Sequence, residues 1–220
     1  QKIHSGLNEK IGETEYPCVG AKASINSKQY RLGIYGEMGN PNTTKKLGAD
    51  LKKYIRETDE TQSDYLTLIA VFTDEADSEI GFENKLWTQI QMLHDSEKEK
   101  GKWDPTVSSN PEDPNFSFSF DGTSFFIVGL HPNASRKARR FPFTAMAFNL
   151  HRQFVRLRDN DQFENMKNVI RNRDMAYDGS INPMLEDFGE GSEAAQYSGR
   201  KVEDSWKCPF MAGLMHEVKQ

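Results

Sequence analysis

Two apolar runs separated by a basic segment constrain the fold of this chain more than any other feature. Phe125–Leu130 and Phe143–Leu150 are rich in aromatic and β-branched residues, which predicts buried strands. His131 directly follows the first run, and His151 directly follows the second. Beyond His151, apolar residues at helical spacing predict a helix that reaches about Arg158. The sequence therefore predicts two buried strands of one sheet, each ending on an imidazole.

The segment between the two strands, residues 135–140, carries four cationic side chains within five positions. Its arginines, Arg136, Arg139 and Arg140, could bind carboxylates or phosphates through paired hydrogen bonds. A solvated loop explains the same composition. A nucleic-acid site is a third interpretation, but the formal net charge of −5 at pH 7 argues against it.

The rest of the chain predicts an α+β fold. Four further strands are indicated by apolar patterning: Cys18–Ile25, Tyr30–Tyr35, Tyr65–Phe72 and Phe116–Phe120. Hairpin turns are predicted at residues 26–28 and at Asp121-Gly122. Apolar residues at spacings of three and four predict helices across residues 47–55, 82–93 and 166–170. We expect a mainly antiparallel sheet with helices packed on one face, a loop over 95–115 and a long irregular C-terminal segment.

A chain of 220 residues is long enough for one domain with a sizeable core. We expect a single domain over residues 16–210, with flexible tails at 1–15 and 211–220. No run approaches the ~18 apolar residues that a membrane span requires. The two cysteines, Cys18 and Cys208, imply no disulfide framework. These features predict a cytoplasmic protein without a membrane or nucleic-acid partner.

Common catalytic motifs are absent: the sequence has no GxxxxGK[ST], GxGxxG, HExxH, paired CxxC or G-x-S-x-G. The candidate metal ligands are His131, His151 and Cys208. Each also has a structural explanation, as a hydrogen-bonded strand end, a helix cap and a small buried hydrophobe respectively. Acidic residues that could receive a cationic ligand cluster late in the chain: Glu186, Asp187, Glu190 and Glu193.

Several long motifs resemble the YqcI/YcgG family. They are PCVGAKA (17–23), VGLHPNASRKARRFPF (128–143), FNLHRQFVRLR (148–158), IRNRD (170–174), GSINPMLEDFGEGSEAAQYSGR (179–200) and WKCPF (206–210). The resemblance covers roughly residues 16–210. More closely, these runs are similar to the heme-dependent guanidine N-hydroxylases of guanitoxin biosynthesis.

That resemblance implies a heme b cofactor, dioxygen as co-substrate and two electrons from an external donor or reductase. The implied reaction is N-hydroxylation of arginine or another guanidino compound. A heme-binding carrier or sensor without oxygenase activity is the alternative. A homodimer is possible in either case.

The resemblance also suggests roles for the candidate residues, although it assigns no catalytic residue. The heme propionates would match Arg136, Arg139 and Arg140. We expect His131 as the axial ligand because it lies beside these arginines, with Cys208 and then His151 as alternatives. A guanidinium substrate needs a carboxylate, for which the candidates are Glu186, Asp187 and Glu193.

Overall fold

A five-stranded sheet with the order β1-β2-β5-β4-β3 forms the centre of the fold. Of the 220 residues, the computed structural model describes 2–61, 63–97, 102–160 and 163–213. The strands are β1 Tyr30–Tyr35, β2 Thr67–Phe72, β3 Phe118–Phe120, β4 Thr123–Leu130 and β5 Ala145–Leu150. β1 runs parallel to β2, and the other neighbouring pairs are antiparallel. The predicted α+β class with a mainly antiparallel sheet is confirmed.

The turn between β3 and β4 shows how local sequence determines strand pairing. Asp121 and Gly122 both have positive φ angles, 52° and 75°. Two consecutive left-handed residues define the type I′ turn, whose twist matches that of the flanking strands. The Asp-Gly hairpin predicted from the sequence is therefore confirmed.

Seven α-helices accompany the sheet in the described part of the chain: α1 Lys2–Gly12, α2 Val19–Asn26, α3 Pro41–Thr61, α4 Glu79–Glu97, α5 His151–Asp159, α6 Phe163–Asp178 and α7 Ala194–Tyr197. The helices predicted around residues 47–55, 82–93, 151–158 and 166–170 are confirmed as α3, α4, α5 and α6. Of the predicted loop over 95–115, residues 98–101 lie outside the described part. Residues 102–115 form turns and bends with one isolated bridge, at Ser108.

Helices cover both faces of the sheet, so the prediction that they pack on one face is wrong. All six residues of β2 are buried. Leu68 and Ala70 pack with α3 and α4 in the larger core, on what we call face A. Ile69 and Val71 pack with α1 and α2 on the opposite side, face B. A strand buried at every position requires cover on both faces.

The N-terminal residues form a helix, which corrects the prediction of a flexible tail over 1–15. Ile3, Leu7 and Ile11 recur every four residues, which places them on one side of α1. Leu7 is fully buried in the core of face B, Ile11 is also buried there, and Ile3 packs against them. This short apolar stripe was the available signal, although polar residues surround it.

The strand predicted over Cys18–Ile25 is also wrong, because these residues form α2. The Cys18 sulfur accepts a hydrogen bond from the Ala21 N–H at 3.4 Å and caps the helix. Lys28 has a left-handed φ of 57°, and the Gln29 N–H donates to the Ser24 carbonyl at 2.8 Å. This arrangement is a Schellman-type helix end. The polar residues predicted to form a hairpin turn therefore terminate a helix.

Both outer strands of the sheet offer few free backbone groups for pairing with another strand. The outward carbonyl of Ile34 in β1 accepts a hydrogen bond from Lys46 Nζ at 2.9 Å. That of Tyr30 accepts one from Arg31 Nη1, also at 2.9 Å. At the other edge, β3 is only three residues long.

The C-terminal segment is irregular apart from α7, as predicted. It is tied to α4 by a buried ion pair in which the Arg200 guanidinium donates from Nε and Nη2 to Glu83 Oε2, at 2.9 and 2.8 Å. Of the predicted tail over 211–220, only 211–213 lie within the described residues. The Met211 N–H donates to Gln91 Oε1 in α4 at 2.9 Å. In the part of the chain covered by the structure, no helix combines the length and apolarity needed to cross a bilayer.

Candidate ligand-binding cavity

A predominantly apolar cavity of about 340 Å³ lies on face B of the sheet. This volume falls within the range of small-molecule sites. Its apolar walls come from the sheet, α5 and α6: Ile69, Val128, Ala147, Phe154, Leu157, Met166 and Ile170. The irregular segment after α6 closes another side with Leu185 and Phe188. The charged groups in this space therefore act in surroundings of low polarity.

His151 enters the cavity because β5 ends at Leu150 and α5 begins immediately after it. Gln153 holds this junction by accepting from the Leu150 N–H at 3.2 Å and donating to the Leu66 carbonyl at 3.0 Å. The imidazole is 6% exposed, and its ring centroid lies 4.4 Å from that of Phe188. Neither ring nitrogen has a hydrogen-bond partner among the described residues.

The environment keeps His151 neutral. Burial, with a smaller contribution from the charge of Arg158, lowers the pKa of its imidazole to about 4. A neutral imidazole with uncommitted nitrogens can coordinate a metal or accept a proton. His151 is therefore the candidate ligand that the structure brings to the cavity.

Arg158 lies on the same side of α5 as His151, seven residues later, and also lines the cavity. Its guanidinium carbon is 4.3 Å from the centroid of the Phe163 ring. Within the described ranges, no carboxylate pairs with this guanidinium. Among the described residues, Arg158 is thus a cation available to an anionic group, and it was not one of the three arginines expected from the sequence to meet the heme propionates.

The predicted arginine cluster is divided by the fold. Arg136 and Arg139 line the cavity, but both have protein partners. Arg136 pairs with Asp174 at 2.8 Å and with Asp178 at 3.5 Å. The partners of Arg139 are backbone carbonyls, those of Gly129 and Gln196, each at 3.1 Å, and that of Tyr197 at 3.4 Å.

Arg140 is exposed and does not line the cavity. Its guanidinium donates to the carbonyls of Ala134 and Ser135, at 2.7 and 3.0 Å, within its own loop. The three arginines of segment 135–140 therefore hold the loop in place through protein contacts rather than forming a free anion site.

His131 and Cys208 do not line the cavity. The buried His131 ring stacks on Phe82 of α4, with centroids 4.4 Å apart, and its Nδ1 atom has no partner in the described structure. Cys208 packs against the core of face A, and burial raises the pKa of its thiol to about 12. Neither of the first two predicted ligands can reach a group bound on face B.

All three predicted carboxylates line the cavity, but their environments differ. Asp187 pairs with Lys167 at 2.9 Å, and Glu186 is exposed. Glu193 is 5% exposed and accepts a hydrogen bond from the Tyr197 hydroxyl at 2.5 Å. Burial raises the pKa of the Glu193 carboxyl to about 7. Glu193 is therefore the buried carboxyl of the site, poised to change its charge near neutral pH.

Titration of His151 should make the stability of the protein depend on pH. Its pKa is about 4 in the folded state and 6.5 in the unfolded chain, so only the unfolded chain binds this proton between those values. The free energy of unfolding should therefore fall as the pH drops from 6.5 toward 4, by about 2–3 kcal/mol at pH 4.5. A His151→Gln variant should lack this loss.

Urea unfolding of both proteins at pH 7 and pH 4.5 measures the difference. Glu193 acts in the opposite direction, because its raised pKa lowers stability as the pH increases from 4.5 to 7. This second contribution is present in both proteins and cancels in the comparison. Identical pH profiles for the two proteins would show that His151 is not held neutral.

The fold and cavity together define a mixed α+β domain with a small-molecule-sized site built on one face of its sheet. Among the residues that the structure covers, no group of three or more His, Cys, Asp or Glu side chains could hold a bare metal ion. The YqcI/YcgG family model matches residues 7–211, and the chain belongs to this family.

Two relatives come from Bacillus subtilis (strain 168), and both are described as uncharacterized proteins. YqcI is 33% identical over 218 residues, covering 93% of this chain and 85% of the relative. YcgG is 30% identical over the same coverage of each chain. No solved structure gives a significant match.

Proposed function

We propose that this protein is a heme-dependent monooxygenase that N-hydroxylates a guanidino compound, either arginine or a derivative. The observation that carries the proposal is the buried, neutral imidazole of His151 in an apolar cavity, with ring nitrogens that have no partner among the described residues. The reaction class comes from the sequence motifs that resemble those of guanidine N-hydroxylases.

The cavity residues fit a heme in three respects. The iron needs an axial ligand, and His151 offers ring nitrogens without partners in the described chain. The porphyrin needs apolar walls, which the sheet, α5 and α6 provide. A propionate needs a cation, and Arg158 is uncommitted among the described residues, whereas Arg136 would have to share its pairs with Asp174 and Asp178.

The acidic groups fit the substrate. A guanidinium binds carboxylates through two parallel hydrogen bonds. Glu193 is already buried in the cavity wall, and a bound cation would favour its ionised form. Glu186 lines the same space from a more exposed position, while Asp187 is engaged by Lys167. We therefore assign guanidinium recognition to Glu193, with Glu186 at the entrance.

Heme, when bound, would supply the activation of dioxygen with two electrons from an external donor. The protein would ligate the iron, orient the substrate and shield the reaction from water. His151 would hold the iron, Arg158 the propionate and Glu193 the substrate, while the apolar walls would exclude bulk water from the oxidation.

Hemin titration of the purified protein tests the first part of this proposal. We expect one equivalent to bind and produce an intense Soret band, followed by conversion of arginine to hydroxyarginine when reductant and oxygen are added. Mass spectrometry with ¹⁸O₂ would identify the inserted atom. Hemin binding without hydroxylation of any guanidino compound would favour the carrier or sensor function, and failure to bind hemin would contradict both.

A further inference from the structure

Three oxidisable side chains connect the cavity wall to the protein surface. The Tyr197 hydroxyl contacts Glu193, which lines the cavity. The Tyr197 ring stacks on Trp87, with centroids 5.6 Å apart and an interplanar angle of 24°. Trp87 in turn lies 6.4 Å from Trp206, which is only partly buried. Phenol and indole rings are among the side chains that lose a single electron most readily.

We propose that Tyr197, Trp87 and Trp206 form an electron-transfer chain that carries reducing equivalents from the surface to a one-electron oxidant in the cavity. The source of that oxidant rests on the proposed function. The electron-transfer chain itself depends only on these three side chains and Glu193. It would reduce an oxidant that has failed to react with substrate before the cavity wall is damaged.

The electrons and protons balance at each step. Tyr197 gives one electron to the oxidant and its phenolic proton to the Glu193 carboxylate, leaving a neutral tyrosyl radical. Trp87 then gives one electron to this radical, and Tyr197 recovers its proton from Glu193; because the Trp87 radical cation is the stronger oxidant, this step is drawn forward by the reduction of Trp87 that follows. Trp206 reduces Trp87 and loses its indole proton to water, and a thiol or ascorbate outside the protein reduces Trp206 and is itself oxidised.

Glu193 is placed to accept the phenolic proton. Burial and the neighbouring Glu193 charge raise the pKa of Tyr197 well above its ordinary value, so the phenol does not ionise before it is oxidised. Its other close polar contacts are the Phe125 carbonyl and the Phe118 N–H, each at 3.0 Å, and the Ser117 hydroxyl; none of the three is a base that would accept the phenolic proton. The carboxylate at 2.5 Å is therefore the acceptor that allows the electron to leave.

The indole of Trp87 suits an intermediate position for a different reason. Its Nε1 atom is buried and has no hydrogen-bond partner among the described residues. An oxidised Trp87 therefore has no nearby site for its proton and remains a strongly oxidising radical cation. Such a radical passes its charge onward instead of persisting.

The third tryptophan offers a matched control. Trp103 contacts His94, Phe116, Phe118 and Phe210, and in the described structure its ring neighbours include no tyrosine or tryptophan. Trp103 therefore belongs to the same aromatic core but is not part of the electron-transfer chain.

Pulse radiolysis of the protein without heme tests the proposal, with azide radicals as the oxidant. Azide radicals oxidise the partly exposed Trp206, so this experiment drives electrons through the same ring contacts in the reverse direction, from Tyr197 toward the surface. We expect the tryptophanyl absorption to decay while a tyrosyl absorption grows in one phase that is independent of protein concentration. Tyr197→Phe should lose this phase. Trp206→Phe should lose it as well, because the partly exposed ring at which oxidation begins is gone. Glu193→Gln should slow it on the order of 10²-fold, the contribution of a positioned base. Trp103→Phe should leave it unchanged.

Persistence of the phase in either Tyr197→Phe or Trp206→Phe would overturn the proposal, as would its equal loss in Trp103→Phe. Trp206→Phe lies at a partly exposed position, so it decides the question even if Tyr197→Phe does not fold. Because no heme is present, failure here leaves the hemin titration untouched, and failure of hemin binding leaves this result standing.

Discussion

Replacing His151 with alanine is expected to abolish tight hemin binding. The imidazole is the candidate ligand that lines the cavity, and its nitrogens have no competing partner in the described chain. Loss of partners that merely orient a metal ligand typically costs 10–100-fold in affinity, so loss of the ligand itself should cost more than about 10²-fold. The measurement is a hemin titration followed at the Soret band.

A His131→Phe variant is the matched control. It keeps a ring stacked on Phe82 and removes the other histidine at a strand end. This variant should bind hemin as the unaltered protein does, and circular dichroism should show that both variants are folded. If His131→Phe loses hemin while His151→Ala retains it, the ligand preference drawn from the sequence is correct and our reassignment to His151 is wrong.

Replacing Arg200 with methionine is expected to destabilise the protein by about 3–5 kcal/mol, because it leaves the buried Glu83 carboxylate without its cation. Arg200 is 9% exposed, and its two hydrogen bonds to Glu83 are the charged link between α4 and the C-terminal segment. Urea unfolding at pH 7 would measure the loss.

Two further variants make this measurement specific. Arg31→Met breaks the exposed pair between Arg31 and Glu57 and should cost no more than about 1 kcal/mol. A Glu83→Leu/Arg200→Met double variant removes both charges and should recover most of the lost stability. Equal losses of stability for Arg31→Met and Arg200→Met would mean that burial of the Arg200–Glu83 pair adds nothing to the cost of breaking it.

Periodic apolar patterns predicted the elements in which they are long and unambiguous. β4 and β5 carry continuous apolar runs, and α4 repeats Phe82, Leu86 and Ile90 at spacings of four. Asp121-Gly122 determined the β3–β4 turn because few residue pairs tolerate its two left-handed conformations. These signals are local, so the sequence alone is sufficient to read them.

The errors arose where small or polar residues left the pattern ambiguous. In α2, alanine, glycine and serine alternate with larger residues in a way that suits a strand as well as a helix. Its cap at Cys18 and its left-handed end at Lys28 become evident only when the hydrogen bonds are known. In α1, three apolar positions among many polar ones gave too weak a stripe to outweigh a terminal location.

The candidate site was predicted in its residue types and only partly in its geometry. His151 and the three carboxylates do line one cavity. The role of Arg136 could not be predicted, because its partners Asp174 and Asp178 lie about forty residues further along the chain. His131 was preferred for its closeness in sequence to the arginines, yet it packs on the other side of the sheet from the cavity.

The protected outer strands have a consequence for how copies of this chain can meet. Intermolecular strand addition needs a row of free backbone groups, and cationic side chains or very short strands at an edge oppose it. Lys46 and Arg31 occupy outward carbonyls of β1, and β3 offers three residues. Self-association should therefore proceed through side-chain surfaces rather than through a continuous intermolecular sheet, which also removes one route to fibrous aggregates.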